Sequence, residues 1–138
     1  KLISDCQSIR AEHGLALIAA ARGQYAEALP RMQLAARTYP DDPRIRNDLG
    51  VLYLYLQNDT RAAFELRTAH ELAKDDAQPR FNLMLLSLLQ ANREAWFDFS
   101  NRWQPVAAVK SELHAMCIKL LSQRAKASLG SCPIDPRA

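Results

Sequence analysis

The sequence predicts an all-α fold, a solenoid of helical hairpins closed by a C-terminal capping helix, and three observations carry that prediction. Apolar and small residues recur at spacings of three and four: Leu49 with Tyr53, and Ala62 with Leu66 and Ala69, each mark one face of a helix. The pattern repeats at an interval of 34 residues, pairing Leu15 with Leu49, Ala16 with Gly50, Ala28 with Ala62, Met32 with Leu66 and Ala35 with Ala69. Turn and cap residues fall between the periodic stretches, and the acidic pair Asp41-Asp42 returns as Asp75-Asp76 at the same offset.

Taken in order, residues from about Asp5 to Arg22, with Ile9, Leu15, Leu17, Ile18 and a run of alanines, form a first helix that Gly23 ends. A second starts at Gln24-Tyr25 and carries Ala28, Met32 and Ala35 on one face. Pro30 is expected in its first turns, where a missing N–H is tolerated best. It stops near Tyr39-Pro40. Asp41-Asp42-Pro43 then opens the third helix with an acidic N-cap and Pro at the first helical position. The run Asn47 to Tyr53 continues that helix, and Gly50 sits where two helix axes can approach closely. Polar residues from Gln57 to Thr60 make the turn into a fourth helix. A third hairpin begins at Ala77, Asn82-Leu83 matching Asp48-Leu49. Its turn at Gln90–Arg93 aligns best with one residue missing, which puts Ala95 and Phe99 in the places of Ala62 and Leu66. Pro105 opens a last helix whose stripe Val106, Val109, Leu113, Met116, Leu120 and Arg124 faces away from Lys110, Glu112, Lys119 and Gln123. Such a helix covers the end of a stack. The expected plan is one domain over 1–138: repeats at about 9–42, 43–76 and 77–104, a capping helix at about 105–128, and an extended or loose tail at 129–138.

A period of 34 with a small residue eight into the first helix and Ala-x3-large-x2-Ala in the second resembles the tetratricopeptide repeat (TPR). The first repeat keeps Leu15, Ala16, Gly23, Tyr25, Ala28, Met32, Ala35 and Pro40. The second keeps Leu49, Gly50, Tyr53, Ala62, Leu66 and Ala69 but has Lys74 where the family has its closing proline. The resemblance implies a concave groove lined by the first helix of each pair. Carried over, its positions are Arg10, His13, Leu17, Ala20 and Ala21; Arg44, Asn47, Asp48, Val51, Leu54 and Tyr55; and Phe81, Asn82, Leu85, Leu88 and Leu89. The floor is then apolar and suits an amphipathic helix or extended apolar peptide. The alternative is that part of this lining belongs to the core or is covered by the chain's own C-terminal helix. Members of the family that clamp an acidic C-terminus use a Lys and two Asn; here His13 and Leu17 fill the first two places and Asp48 the third, and a carboxylate there repels an anion.

Composition narrows the function classes. Among 138 residues, 49% are apolar and 24% charged, which excludes a disordered chain, and no run of 18 apolar residues exists to span a bilayer. Residues 1–100 hold 12 Lys/Arg against 13 Asp/Glu, and the tail from 101 holds 6 against 2, a footprint too weak for a nucleic-acid binder. His114-x-x-Cys117 gives two metal-ligand types at helical spacing, a pair that reads more simply as a surface histidine and a small buried cysteine; no metal and no cofactor is expected. The Asp41-Asp42 and Asp75-Asp76 pairs stand before helix starts, where capping explains them better than catalysis. No Ser or Cys has a local base, so an enzyme is not expected. Of Trp96, Phe97, Phe99 and Trp103, most should pack the third hairpin, with one ring partly exposed. Whether any of Cys6, Cys117 and Cys132 pair is open at this level.

The wording Pro43-Arg-Ile-Arg-Asn-Asp-Leu-Gly-Val-Leu-Tyr, followed by Pro79-Arg-Phe-Asn-Leu-Met-Leu, is similar to the TadD family of bacterial tight-adherence (Tad) pilus systems. That resemblance implies an outer-membrane lipoprotein acting as pilotin for the secretin channel, its partner a secretin C-terminal segment. With no initiator Met and no signal region at Lys1, the chain reads as a mature or trimmed fragment, and a lipid anchor would lie upstream. The rival is a cytoplasmic assembly chaperone holding secreted or pilus subunits in the same groove.

Overall fold

The computed structural model describes the backbone of residues 2–124 and 131–138 and the side chains of 8–124 and 131–138. Seven helices account for the regular structure of these residues: α1 Leu2–Ala21, α2 Tyr25–Thr38, α3 Pro43–Tyr55, α4 Asp59–Leu72, α5 Ala77–Leu89, α6 Arg93–Trp103 and α7 Ala107–Gln123. The fold is all-α and built of tetratricopeptide-type hairpins, as the sequence predicts. Two compact units, Lys1–Pro79 and Arg80–Ala138, divide the chain within the first turn of α5.

In the first unit α1 packs on α2, α2 on α3 and α3 on α4. The seam is made of the repeated positions: Ala16, Ala28, Met32, Ala35, Ala62, Leu66 and Ala69 have no exposed surface, and Leu49 and Tyr53 are buried beside them. Small residues let the axes approach, and the large residue at each hairpin's centre fills the space between. Leu15 departs from its partner position: it is 47% exposed where Leu49 is 3%. α2 lies against α3, whereas no described element of this chain lies against the matching face of α1.

The hairpin turns repeat in geometry as well as in position. Gly23, Gln57 and Ala91 all have positive φ, 75°, 61° and 53°, at successive intervals of 34 residues. Behind each, the next amide closes on a carbonyl five residues back: Gln24 on Ala19, Asn58 on Tyr53, Asn92 on Ser87. This is the Schellman-type closure of a helix end. Asn58 and Asn92 then cap the following helix by accepting from the amides of Arg61 and Ala95. The third turn therefore keeps the full 34-residue period, and the expected deletion is not there. Trp96, not Ala95, takes the place of Ala62, and Ser100, not Phe99, that of Leu66. What hid the register is that Trp96 and Ser100 stand where the pattern asks for a small and a large apolar residue.

Asp42 caps α3 by accepting from the amides of Arg44 and Ile45, at 2.9 and 3.4 Å, and Asp76 accepts from Gln78 at 3.0 Å. Pro30 is the sixth residue of α2, beyond the free amides of the first turn, so one i→i−4 bond is absent, on an exposed side of the helix. Arg46 on α3 reaches a buried Glu65 on α4 at 2.9 Å and also donates to the Pro40 carbonyl, which ties the two hairpins together.

In the second unit Trp96 is buried, Phe99 stacks on Trp103 at 4.8 Å, and the Arg80 guanidinium lies 5.8 Å from the Trp103 ring, linking α5 to α6. Phe97, 56% exposed, is the open ring of the group. α7 buries Leu113, Cys117 and Leu120; Val106 is its N-cap and 65% exposed, so the stripe starts later than the sequence suggests. α7 ends at Gln123, where Arg124 turns extended (φ −85°, ψ 140°) as its C-cap, short of the expected end at about 128, which itself lies outside the described residues. The segment 131–138 has no helix but is not loose. Cys132 is bonded to Cys117 with Cα atoms 5.7 Å apart, and Ile134 and Pro136 are buried. Arg137 donates to both oxygens of Asp135, holding that carboxyl down at about 2, and reaches His114 on α7 at 3.5 Å.

Candidate functional site

The predicted groove residues of the first unit separate into two groups on α3. At about 100° per residue, Arg44, Asp48, Val51 and Tyr55 share one side of the helix, while Asn47 and Leu54 lie roughly 80° round from it. Asn47 is 8% exposed and Leu54 1%, so both belong to the packing between helices. Arg44 is exposed, and Asp48, Val51 and Tyr55 are half-buried. On α1, Arg10 is exposed, Leu17 is 42% exposed and His13 is half-buried.

α1 and α3 meet at His13 and Asp48, whose Nε2 and Oδ2 are 2.9 Å apart; the ring N–H donates to the carboxylate. Their side chains are 19% and 29% exposed. Burial pushes the Asp48 carboxyl above the usual carboxylate range, opposed by the hydrogen bond and charge of His13 and by the charge of Arg44. Beside this pair Arg10, His13, Tyr39 and Arg44 line a cleft of about 170 Å³ with Ile9 and Ile45 as its apolar walls. Further along, Tyr55 stacks on Tyr25 of α2 with centroids 4.5 Å apart and planes 12° from parallel. Sequence spacing did not single out Tyr25 for this role, because it precedes Tyr55 by most of a repeat and sits at the start of a second helix. Leu17 on α1 and Val51 and Tyr55 on α3 are thus the partly open apolar residues of the strip that these two helices present, with Arg10 and Arg44 about two to three turns nearer the helix starts, beside Asp42.

In the second unit Phe81 is half-buried, whereas Asn82, Leu85 and Leu89 are 7%, 2% and 7% exposed. These three, with Leu54 and Asn47, are buried and offer a partner little surface. The reading in which part of the lining belongs to the core holds for them.

The arrangement is suited to noncovalent binding. The sulfur of Cys117 is taken by Cys132, which removes the thiolate that a His114–Cys117 metal pair requires. Among the described residues no group of three or more His, Cys, Asp or Glu is placed to hold a metal ion, and no helix is long and apolar enough to cross a membrane.

The chain is 41% identical over 93 residues to the TPR repeat-containing protein PA4299 of Pseudomonas aeruginosa, a match that covers 67% of this chain and 38% of that protein. It therefore spans well under half the length of this curated relative. No family model matches the chain.

Proposed function

Because this chain is built of tetratricopeptide-type repeats, we propose that it is a non-catalytic protein-binding scaffold. A partner's peptide or amphipathic helix lies across α1 and α3 of the first unit. The observation that carries this is the strip Leu17, Val51 and Tyr55, partly open to solvent on a face fixed from beneath by the His13–Asp48 pair and the Tyr25–Tyr55 stack. A surface held rigid before binding loses little entropy when a partner docks. Apolar anchors of the partner would cover the strip, and Arg10 and Arg44 would meet acidic residues at one end.

At finer grain, the resemblance of Pro43–Tyr53 and Pro79–Leu85 to the TadD family supports a role in Tad pilus assembly, as pilotin for the secretin on the periplasmic side of the outer membrane. The Cys117–Cys132 bridge supports an oxidising compartment and so favours this reading over a cytoplasmic chaperone. The test is binding of a secretin C-terminal peptide, followed calorimetrically, to the wild-type chain and to Leu17→Asp and Val51→Asp. These positions are used because Asp at Leu54 or Leu85 would disrupt the core. Loss of at least tenfold in affinity with unchanged circular dichroism is expected. Equal affinity in both variants would exclude the α1/α3 face; no binding by the wild type would exclude the secretin while leaving the scaffold reading to a pull-down from the native source.

A further inference from the structure

We propose that the first unit carries a second site, for an oxyanion, in the cavity between α2, α3 and α4. It lies away from the peptide face: on α3, Arg46, Leu49 and Tyr53 line this cavity and stand roughly 160° round the helix from Arg44, Asp48, Val51 and Tyr55. The cavity holds about 250 Å³, room for a phosphate or a carboxylate side chain.

Its charged lining is mostly cationic. Arg37 of α2, Arg46 of α3 and Arg61 of α4 face a single acid, Glu65. Glu65 is already engaged, both of its oxygens accepting from Arg46, at 3.2 and 2.9 Å. The positive charges of Arg37 and Arg61 therefore have no carboxylate in the lining to answer them. At the floor, Tyr53 is 4% exposed; its oxygen accepts from Gln33 at 3.0 Å, and its own hydrogen has no acceptor among the described residues. With the oxygen taken by Gln33, the hydroxyl hydrogen is left to donate into the cavity. Arg61 sits 5.9 Å over the same ring, which holds its guanidinium at the rim. One anionic oxygen at the centre would accept from Tyr53 and from both arginines, the charge-assisted bonding that guanidinium groups favour. An anion held here would bridge α2 and α4, the second helices of the two hairpins. The site is independent of the groove reading, and failure of either leaves the other standing.

The test is an NMR titration of the 138-residue chain at low ionic strength, following the Arg37 and Arg61 Nε–H and Tyr53 amide resonances. The probes are inorganic phosphate and, separately, a hexapeptide of glutamate. Saturable shifts at these three residues are expected with at least one probe. Phosphate alone would identify a small-anion site, and the peptide a docking point for a partner's acidic side chains; either supports the proposal. Arg37→Gln and Arg61→Gln should each weaken binding about tenfold. Tyr53→Phe, which keeps the ring, should weaken it severalfold. Arg67→Gln, which removes the same charge from an exposed position of α4 outside the cavity, should change it little. No saturation with either probe up to about 10 mM, or an equal effect of Arg67→Gln and Arg37→Gln, would overturn the proposal.

Discussion

Replacing Gly50 by Ala should destabilise the first unit, against the ordinary preference of helices for Ala. A Cβ built at Gly50 would stand 2.7 Å from both Cγ and Cδ2 of Leu66, and 3.4 Å from the Leu66 amide nitrogen. Relief requires turning the whole Leu66 side chain, since Cγ cannot move by rotating its own methyls, and Leu66 is completely buried. Overpacking of this kind costs about 1–3 kcal/mol, and the helix gains about 1 kcal/mol when Gly becomes Ala. The net is a loss of about 1 kcal/mol, a fall of about 0.5 M in the urea midpoint followed by circular dichroism. The first hairpin suggests how the clash is avoided: Ala16 occupies the Gly50 place and the unbranched Met32 the Leu66 place, both with no exposed surface. Leu66→Met should therefore rescue Gly50→Ala, with a coupling of about 1 kcal/mol in the double-mutant cycle. A midpoint that rises in the single variant, or strict additivity in the double, would refute the packing argument.

Two other outcomes test the pair at the peptide face and the bridge in the second unit. Burial raises the Asp48 pKa in the folded state, so folding favours its protonated form; that contribution is present at low pH and lost as pH rises from the ordinary carboxylate value through the raised one. Asp48→Asn should flatten the stability profile over that window and be close to neutral at pH 7, whereas His13→Ala, which leaves the carboxylate half-buried without its donor, should cost about 1 kcal/mol; denaturant melts of both variants across pH decide it. Cys132→Ser opens a loop closed over a sequence separation of 15 residues and should lower the stability of the second unit by about 3 kcal/mol, read as faster hydrogen exchange in α7.

Much of the fold was legible because it is periodic. A repeat at 34 residues pairs Ala28 with Ala62 and Met32 with Leu66, and all four are fully buried, so pattern and packing coincide. The third hairpin was harder to read. Its turn residue Ala91 takes the left-handed conformation without being Gly or Asn, and Trp96 and Ser100 stand where the pattern asks for Ala and Leu. Only the closing hydrogen bond from Asn92 to Ser87 and the Asn92 cap fix the register. The candidate positions were legible but their burial was not: Arg10, His13, Leu17, Arg44, Asp48, Val51 and Tyr55 are at least partly open, whereas Asn47, Leu54, Asn82, Leu85 and Leu89 are buried, a difference that position in the repeat does not carry.

By itself, then, the sequence determined the hairpins, their caps at Asp42 and Asp76, and the small residues of the seam, because each depends on spacings of a few residues or on one repeating interval. Tertiary structure decided what sequence distance conceals. His13 meets Asp48, Tyr25 meets Tyr55, and Arg37, Tyr53 and Arg61 converge on one cavity. It also joined Cys117 to Cys132. The physical reason is that a side chain's role is set by what covers it: Leu15 and Leu49 hold one position in the repeat, yet among the described residues Leu49 is buried and Leu15 is 47% exposed.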